Sequence, residues 1–135
     1  MLKKEQGTIG LLRIAHNYQF LGYNVLLPFG DSQRYDLVIE KNGKFQKVQV
    51  KTITEKNGVI QVDARVIGHN LNKFNIYHPT KKDFDILAVV EMKTQKAYAI
   101  PFDGKQRRIQ LRISKTKNNQ KKYIRLANDY LLPGP

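Results

Sequence analysis

Residues 35–52, YDLVIEKNGKFQKVQVKT, decide the fold, because they read as two β-strands joined by a tight turn. The Asn42-Gly43 pair predicts that turn, since a two-residue type I′ turn needs a positive φ at both central positions. The strands pair outward from the turn, which places Asp36 opposite Gln49. The sequence therefore predicts an antiparallel hairpin with a defined register.

The register also predicts which side chains share a face, because side chains alternate between the two faces of a sheet. One face carries Asp36, Val38, Gln49 and Lys51. The other face is apolar enough to pack on a core, and it carries Tyr35, Leu37, Ile39, Val48 and Val50. A carboxylate, an amide and an amine are thus expected to meet on the less apolar face.

These three groups suit the hydrolysis of a phosphodiester, which needs an activated water and positive charge near the phosphate. A divalent cation such as Mg²⁺ supplies both, and hard cations prefer oxygen ligands. The candidate ligands are the Asp36 carboxylate, the Gln49 side-chain carbonyl and the Val50 backbone carbonyl. Lys51 is the candidate to orient or deprotonate the attacking water, or to neutralise phosphate charge. With one carboxylate, metal binding is expected to be weak and to depend on the DNA phosphate.

A purely structural interpretation is the alternative. Asp36 could cap the end of a strand, and Gln49 and Lys51 could be solvated residues, because acid–lysine pairs across hairpins are common. The net charge favours the catalytic interpretation. The chain carries 24 basic and 11 acidic residues, a formal net charge of +13, which points to a polyanionic partner, most simply nucleic acid.

The composition also sets the class of protein. A chain of 135 residues is expected to form one domain, which we assign to residues 1–132 with a tail at 133–135. Cysteine is absent, which excludes disulfides, a thiolate zinc site and a cysteine nucleophile. No apolar run is long enough to span a membrane and no signal peptide is visible, so the cytosol is the expected compartment and no membrane partner is expected.

The flanking segments predict a helix followed by a series of strands. A helix is expected over residues 8–21, with an apolar stripe, Thr8 as its N-cap and Gly22 as its stop. Strands are expected at 23–27, 59–66, 97–100, 107–114 and 123–126, and a strand buried on both faces at 84–90. Residues 68–82 read as a long irregular segment, and 127–132 as a short helix. The order predicts an α/β (α+β) fold with a central mixed β-sheet, an N-terminal helix and added β-hairpins.

Basic residues concentrate near the C-terminus, where nine lie between Lys105 and Arg125 with no acidic residue among them. Such a run is usually a solvated face, but one sign of charge across a hairpin is better explained by a phosphate backbone. Arg108 and Arg112, on the polar face of an alternating strand, are candidates to read base edges. The other candidates for DNA contact are Arg107, Lys115, Lys117, Lys121 and Lys122 in this run, Ser32, Gln33 and Arg34 in the loop before Asp36, and Lys73, Tyr77 and Lys81 in the long segment.

Residues 35–52 resemble the core of the PD-(D/E)XK nuclease superfamily, in which an aspartate on one strand is followed by (E/D/Q)-x-K on the next. Here the matching residues are Asp36 and Gln49-Val50-Lys51. GTIGLLRIA (7–15) and LGYNVLLPFGD (21–31) are similar to the first helix and first strand of the family. The chain as a whole is similar to the homing endonucleases of this superfamily that group I introns encode. The resemblance implies a restriction-endonuclease-like core, Mg²⁺-dependent, site-specific cleavage of double-stranded DNA, and a homodimer or homotetramer.

One position departs from the family pattern. The family often carries a glutamate on the first helix in a G-x-x-x-E context, and counted from Gly7 that position is Leu11. Leu11 also fits the apolar stripe of the helix. If the glutamate contributes to the metal site, its replacement removes a ligand, and we hypothesise that Leu11 is an inactivating change.

Three other functions stay open at this point. A Holliday-junction resolvase or repair nuclease of the same fold would prefer four-way junctions to one long duplex site. A DNA- or RNA-binding module without catalysis is favoured by Leu11. Binding of ribosomal-type RNA is disfavoured by the arrangement of Asp36, Gln49 and Lys51.

Overall fold

The computed structural model describes residues 1–70, 73–114 and 124–134. The chain begins with helix α1 (Lys3–Phe20), and a 3₁₀ helix (Ala127–Tyr130) lies near its end. The strands are β1 (Asn24–Leu26), β2 (Leu37–Lys41), β3 (Lys44–Ile53), β4 (Val59–Asp63), β5 (Val66–Asn70), β6 (Lys73–Tyr77), β7 (Ile86–Glu91), β8 (Ala97–Pro101), β9 (Arg108–Arg112), β10 (Arg125–Leu126) and β11 (Leu131–Leu132). Within the described ranges, no helix is long and apolar enough to cross a membrane.

A six-stranded sheet forms the centre of the fold, in the order β1-β2-β3-β7-β8-β11. The β3–β7 pair is parallel and the other pairs are antiparallel, so the sheet is mixed, as the sequence predicted. The β2–β3 hairpin has the predicted register, from Lys41 opposite Lys44 to Leu37 opposite Val48. Asn42 and Gly43 both have positive φ, 54° and 82°, so the hairpin prediction is confirmed.

The central sheet has a different layer on each face. Helix α1 packs on one face, and a second sheet of order β10-β9-β4 packs on the other. Strand β7 supplies side chains to both cores: Ala88 and Val90 lie beneath α1, whereas Leu87 and Val89 lie beneath the second sheet. All four are fully buried, which confirms the prediction of a strand buried on both faces.

The predicted apolar face of the hairpin is correct for the residues within the strands. Leu37, Ile39 and Val48 are buried with the α1 residues Ile14 and Tyr18. Tyr35 was assigned to the same face, and this is wrong, because it packs against the core beneath the second sheet. Tyr35 precedes β2, where the regular alternation of strand side chains does not apply.

The start of the helix also differs from the prediction, because α1 begins at Lys3 rather than at residue 8. Thr8 is therefore not the N-cap, and its hydroxyl donates to the Lys4 carbonyl inside the helix at 3.1 Å. The helix start is stabilised instead by Glu5, whose carboxylate accepts a hydrogen bond from the Leu2 amide at 3.2 Å. The additional turn extends α1 beyond its apolar stripe, which is why periodicity did not reveal it.

Two downstream expectations are also corrected. The segment 68–82 is not irregular throughout, since it contains much of the β5–β6 hairpin, which forms a separate two-stranded sheet among the described residues. Strand β5 (VIGHN) lacks apolar alternation, and the alternation in β6 (KFNIY) spans only five residues, so the pattern gave a weak signal. Residues 127–132 form a 3₁₀ helix followed by β11 rather than one helix.

The expected tail lies close to α1. The Asn17 side-chain amide donates to the Leu132 carbonyl at 3.1 Å, and the Asn17 side chain also lies directly against Gly134. Asn17 is buried, so this contact anchors the end of the described chain to the helix.

Two glycines of α1 allow a test of this packing. A Cβ at Gly7 would meet no atom within 4 Å, whereas a Cβ at Gly10 would overlap the Thr52 side chain of β3. Gly7→Ala should raise the free energy of unfolding by about 0.5–1 kcal/mol, because alanine favours the helix. Gly10→Ala should lower it by about 1–3 kcal/mol, because the helix must move away from the sheet. Urea denaturation measures both, and equal effects at the two positions would contradict the packing of α1.

Candidate active site

The candidate site lies where β2 stops pairing with β3. The last β2–β3 pair is Leu37 with Val48, and Asp36 comes just before it. The Asp36 amide donates to the Val48 carbonyl at 2.8 Å, and its carboxylate Oδ2 accepts from the Val50 amide at 2.8 Å. Asp36 thus bridges the two residues that flank Gln49, close to the position that the hairpin register predicted.

The end of β2 also leaves a backbone carbonyl available. The N–H and C=O groups of one strand residue point to the same side of the strand. The Val50 amide points to Asp36, so the Val50 carbonyl points to the same side, beyond the end of β2. Two oxygen donors, the Asp36 carboxylate and the Val50 carbonyl, therefore lie at the opening between the strands.

This opening is part of a cleft of about 370 Å³ between α1 and the hairpin. Its lining combines all five sequence-predicted catalytic and metal-site residues with three further residues of the helix. The first group is Leu11, Asp36, Gln49, Val50 and Lys51, and the second is Lys4, Gly7 and Thr8. The helix position at which the family often carries glutamate thus lies at the cleft, and leucine occupies it.

The charged groups of the cleft are partly withdrawn from water. Partial burial raises the pKa of the Asp36 carboxyl above its ordinary value, although the Val50 amide and the Lys51 ammonium oppose the rise. Partial burial likewise lowers the pKa of Lys51, against the influence of the Asp36 and Asp63 carboxylates. A carboxyl and an amine with pKa values displaced toward each other in one cleft are typical of a functional site.

Lys51 is linked to the second sheet by a polar contact. Its ammonium donates to the Arg65 carbonyl at 3.5 Å, in the turn between β4 and β5. Asp63 fixes that turn, because its carboxylate accepts from the Arg65 amide at 2.9 Å and from the Arg65 guanidinium at 2.6 to 3.0 Å. These hydrogen bonds lower the pKa of Asp63. The turn therefore presents a fixed carbonyl to Lys51.

The oxygen donors of the cleft suit a hard cation, but they are few. One carboxylate (Asp36), one amide oxygen (Gln49) and one carbonyl (Val50) are present. In the part of the chain that the structure describes, no group of three or more His, Asp or Glu side chains is placed to hold a metal ion. The donor set fits Mg²⁺ only if water or a substrate phosphate completes the shell.

Two of the predicted DNA-contact residues, Arg34 and Tyr77, contact each other. The Arg34 guanidinium lies 3.4 Å above the centre of the Tyr77 ring and forms an ion pair with Asp83 at 3.9 Å. The Tyr77 hydroxyl donates to the same Asp83 carboxylate at 3.0 Å. Arg34 and Tyr77 therefore join the loop before Asp36 to the end of β6.

The other predicted DNA-contact residues are dispersed. Ser32 and Gln33 are exposed in the loop before Asp36. Lys81 donates to the Phe102 carbonyl at 3.0 Å, and Arg107 donates to the Gly104 carbonyl at 3.1 Å. Lys115, Lys117, Lys121 and Lys122 lie outside the described residues, as does the side chain of Lys73.

Strand β9 follows the predicted alternation. Ile109 and Leu111 are buried, whereas Arg108 is exposed and Arg112 is partly exposed on the opposite face. The two arginines are thus available on the outer face of the second sheet, where the sequence placed them.

Five residues of the site escaped the sequence analysis. Lys4, Gly7 and Thr8 line the cleft because α1 begins earlier than expected, and the spacing of Lys4, Thr8 and Leu11 is that of one helix face. Asp63 and Arg65 approach Lys51 through the packing of the second sheet. The D-x-R spacing indicates a local turn, but it carries no signal that the turn faces Lys51.

Comparison with known proteins agrees with this geometry. The family model described as PD-(D/E)XK endonuclease matches residues 1–133. Protein 5.3 of Escherichia phage T7 is 36% identical over 86 residues, which are 62% of this chain and 69% of the phage protein. The solved structure of a bacterial homing endonuclease, I-Ssp6803I, superposes with a TM-score of 0.76 and 27% identity, over 97% of this chain and 89% of that one. The fold is therefore restriction-endonuclease-like, and the chain belongs to the PD-(D/E)XK endonuclease family.

Proposed function

We propose that this endonuclease is a site-specific, divalent-cation-dependent enzyme that hydrolyses double-stranded DNA in the manner of an intron homing endonuclease. The observation that carries the proposal is the cleft that gathers Asp36, Gln49, Val50 and Lys51 at the end of β2. The likeness to a bacterial homing endonuclease over 97% of the chain supports the homing type. The net charge of +13 supports a DNA substrate.

Asp36, Gln49 and Val50 would hold the cation, which when bound supplies charge neutralisation and activation of the attacking water. The Asp36 carboxylate keeps one oxygen on the Val50 amide, so its orientation is set before any ligand arrives. Lys51 orients the water or neutralises the phosphate, and its contact with the Arg65 carbonyl limits where its ammonium can lie. Lys4 adds a second positive charge in the same cleft.

Cleavage of both strands of a duplex needs two such sites, and each chain supplies one. A homodimer or homotetramer is therefore part of the proposal. A symmetric pair of sites would also match a DNA site with two-fold symmetry.

Leu11 favours a second candidate, a DNA-binding module that has lost catalysis. Leucine supplies no oxygen ligand, and Asp36 is the one carboxylate in the cleft lining. Such a module would keep the positive charge and bind DNA without cutting it.

Leu11→Glu should restore or raise cleavage, because it adds a carboxylate to the cleft. The expected result is Mg²⁺-dependent linearisation of a supercoiled plasmid carrying a candidate intron-insertion site, with Mg²⁺ affinity roughly 10- to 100-fold tighter. Isothermal titration with Mg²⁺ in the presence of DNA measures the affinity, and gel electrophoresis follows the cleavage.

Leu11→Gln is the matched control, because glutamine is similar to glutamate in size and polarity but carries no charge. Cleavage by the unchanged chain, which carries Leu11, would show that the enzyme does not need a carboxylate on the helix. DNA binding without cleavage by any of the three proteins would support the non-catalytic module and contradict the proposed enzyme.

Asp36→Asn combined with Lys51→Met should stabilise the protein while abolishing any cleavage. The raised pKa of Asp36 means that folding disfavours its charged form, a penalty that is present at pH values above the folded-state pKa. The lowered pKa of Lys51 means that folding also disfavours the ammonium, a penalty present below that pKa. At neutral pH, removal of both charges should raise the free energy of unfolding by about 0.5–2 kcal/mol, measured by urea denaturation.

The control for this experiment is Glu55→Gln with Lys93→Met, an ion pair joined at 2.9 Å in which Lys93 is exposed and Glu55 is partly buried. Here the hydrogen bond to Lys93 lowers the pKa of Glu55 and that to Glu55 raises the pKa of Lys93, so the charged forms are favoured and no gain is expected. A loss of stability in the Asp36/Lys51 variant would identify these residues as structural.

DNA binding should depend strongly on salt, because the affinity comes from phosphate contacts. If Arg108 contacts a phosphate, Arg108→Gln should reduce the slope of log affinity against log salt concentration by about 1. Fluorescence anisotropy of a labelled duplex in EDTA measures the slope. Lys93→Gln, which removes a lysine paired with Glu55, is expected to leave it unchanged. Equal slopes for the unchanged chain, Arg108→Gln and Lys93→Gln would exclude a phosphate contact by Arg108.

A further inference from the structure

The loop that leads into the candidate site presents an aromatic side chain to solvent. Phe29 is fully exposed, and Leu27 beside it is 67% exposed. Burial of a phenylalanine side chain stabilises a protein by about 1.5–3 kcal/mol, and this one contributes no such burial in the isolated chain. Phe29 is the most exposed of the large apolar side chains that the structure describes, which makes the loop tip a candidate contact surface.

The loop is braced at its tip and at its base. At the tip, Gly30 has a φ of 96°, a conformation that glycine adopts readily, and the Gln33 side chain donates to the Phe29 carbonyl at 3.3 Å. At the base, Arg34 is held between the Tyr77 ring and the Asp83 carboxylate. The loop therefore holds the Phe29 backbone in one position, which lowers the entropy cost of inserting its side chain into a partner.

The position of the loop along the chain limits how far Phe29 can lie from Asp36 of the proposed cutting site. Six residues lie between Phe29 and Asp36, and the seven extended steps that join them span at most about 25 Å. At about 3.4 Å per base step, that distance covers about seven base pairs. Phe29 thus lies within reach of the base pairs on either side of the cut.

We propose that Phe29 is a wedge that inserts between stacked bases of the DNA beside the cleavage site. This inference rests on the proposed function, since it requires a DNA duplex in the cleft. Proteins that bend DNA frequently insert Phe, Leu or Met at a base step, which unstacks the step and unwinds the duplex. Leu27 can cover the edge of the opened step. The ligand is the apolar face of a base pair, and it complements the phosphate contacts of the basic residues.

A second copy of this chain is the competing partner for the same surface. A stable protein interface buries about 800 Å² on each side, whereas one phenylalanine buries about 150–250 Å². A single side chain projecting from a turn matches the narrow space between two bases better than a broad interface. The net charge of +13 adds attraction between the chain and DNA.

The test measures DNA unwinding, which does not depend on cleavage or on the target sequence. A plasmid is relaxed by a type IB topoisomerase in EDTA with saturating protein, and its linking number is read by gel electrophoresis after the protein is removed. The unchanged chain and Phe29→Trp should both lower the linking number, because each retains an aromatic wedge. Phe29→Ala should lower it by less than half as much, and it should bind a labelled duplex about 5- to 100-fold more weakly.

Phe20→Ala is the matched control, because Phe20 is 63% exposed but lies at the end of α1, about 13 Å along the helix from Leu11. The Phe20→Ala variant should unwind DNA as much as the unchanged chain does. If Phe29→Ala changes the linking number as much as the unchanged chain does, the wedge is overturned. The wedge is also overturned if the unchanged chain binds DNA without unwinding it. If Phe29→Ala changes the sedimentation of the oligomer but not the unwinding of DNA, Phe29 belongs to a protein interface. If the unchanged chain does not bind DNA, the proposed function fails as well.

Discussion

The hydrogen bond between the Asp36 carboxylate and the Val50 amide is the contact on which the site depends. It closes the hairpin where β2 ends, so a carboxylate replaces a backbone carbonyl as the partner of the β3 edge. The same bond orients Asp36 toward the cleft and leaves the Val50 carbonyl directed to the opening. Asp36 thus forms the strand-end cap that the sequence suggested and also lines the cleft, so the structural interpretation and the proposed catalytic role are compatible.

The parts of the fold that depend on local chemistry could be predicted from the sequence. Asn42-Gly43 determined the turn, the turn determined the register, and the register brought Asp36 close to Gln49. The apolar run of β7 likewise predicted a strand between two cores. In both cases a short stretch of sequence is enough to determine the local structure that forms.

The remaining features depend on contacts between distant segments. Strand β5 lacks apolar alternation, and the approach of the Asp63–Arg65 turn to Lys51 follows from the packing of two sheets. The stack of Arg34 on Tyr77 joins segments that no local pattern relates. Lys4 was missed for a different reason, since the first turn of α1 lies outside the apolar stripe from which the helix was recognised.

The cleft lies between two layers, since helix α1 supplies Leu11 and the central sheet supplies Asp36 and Lys51. A third layer contributes through the turn after β4, whose Arg65 carbonyl receives Lys51. Separation of any one layer from the others would disperse these groups. A nascent or partly unfolded chain therefore carries the positive charge that attracts DNA without an assembled cutting centre. Layered assembly therefore means that the endonuclease centre exists only when the whole domain is folded.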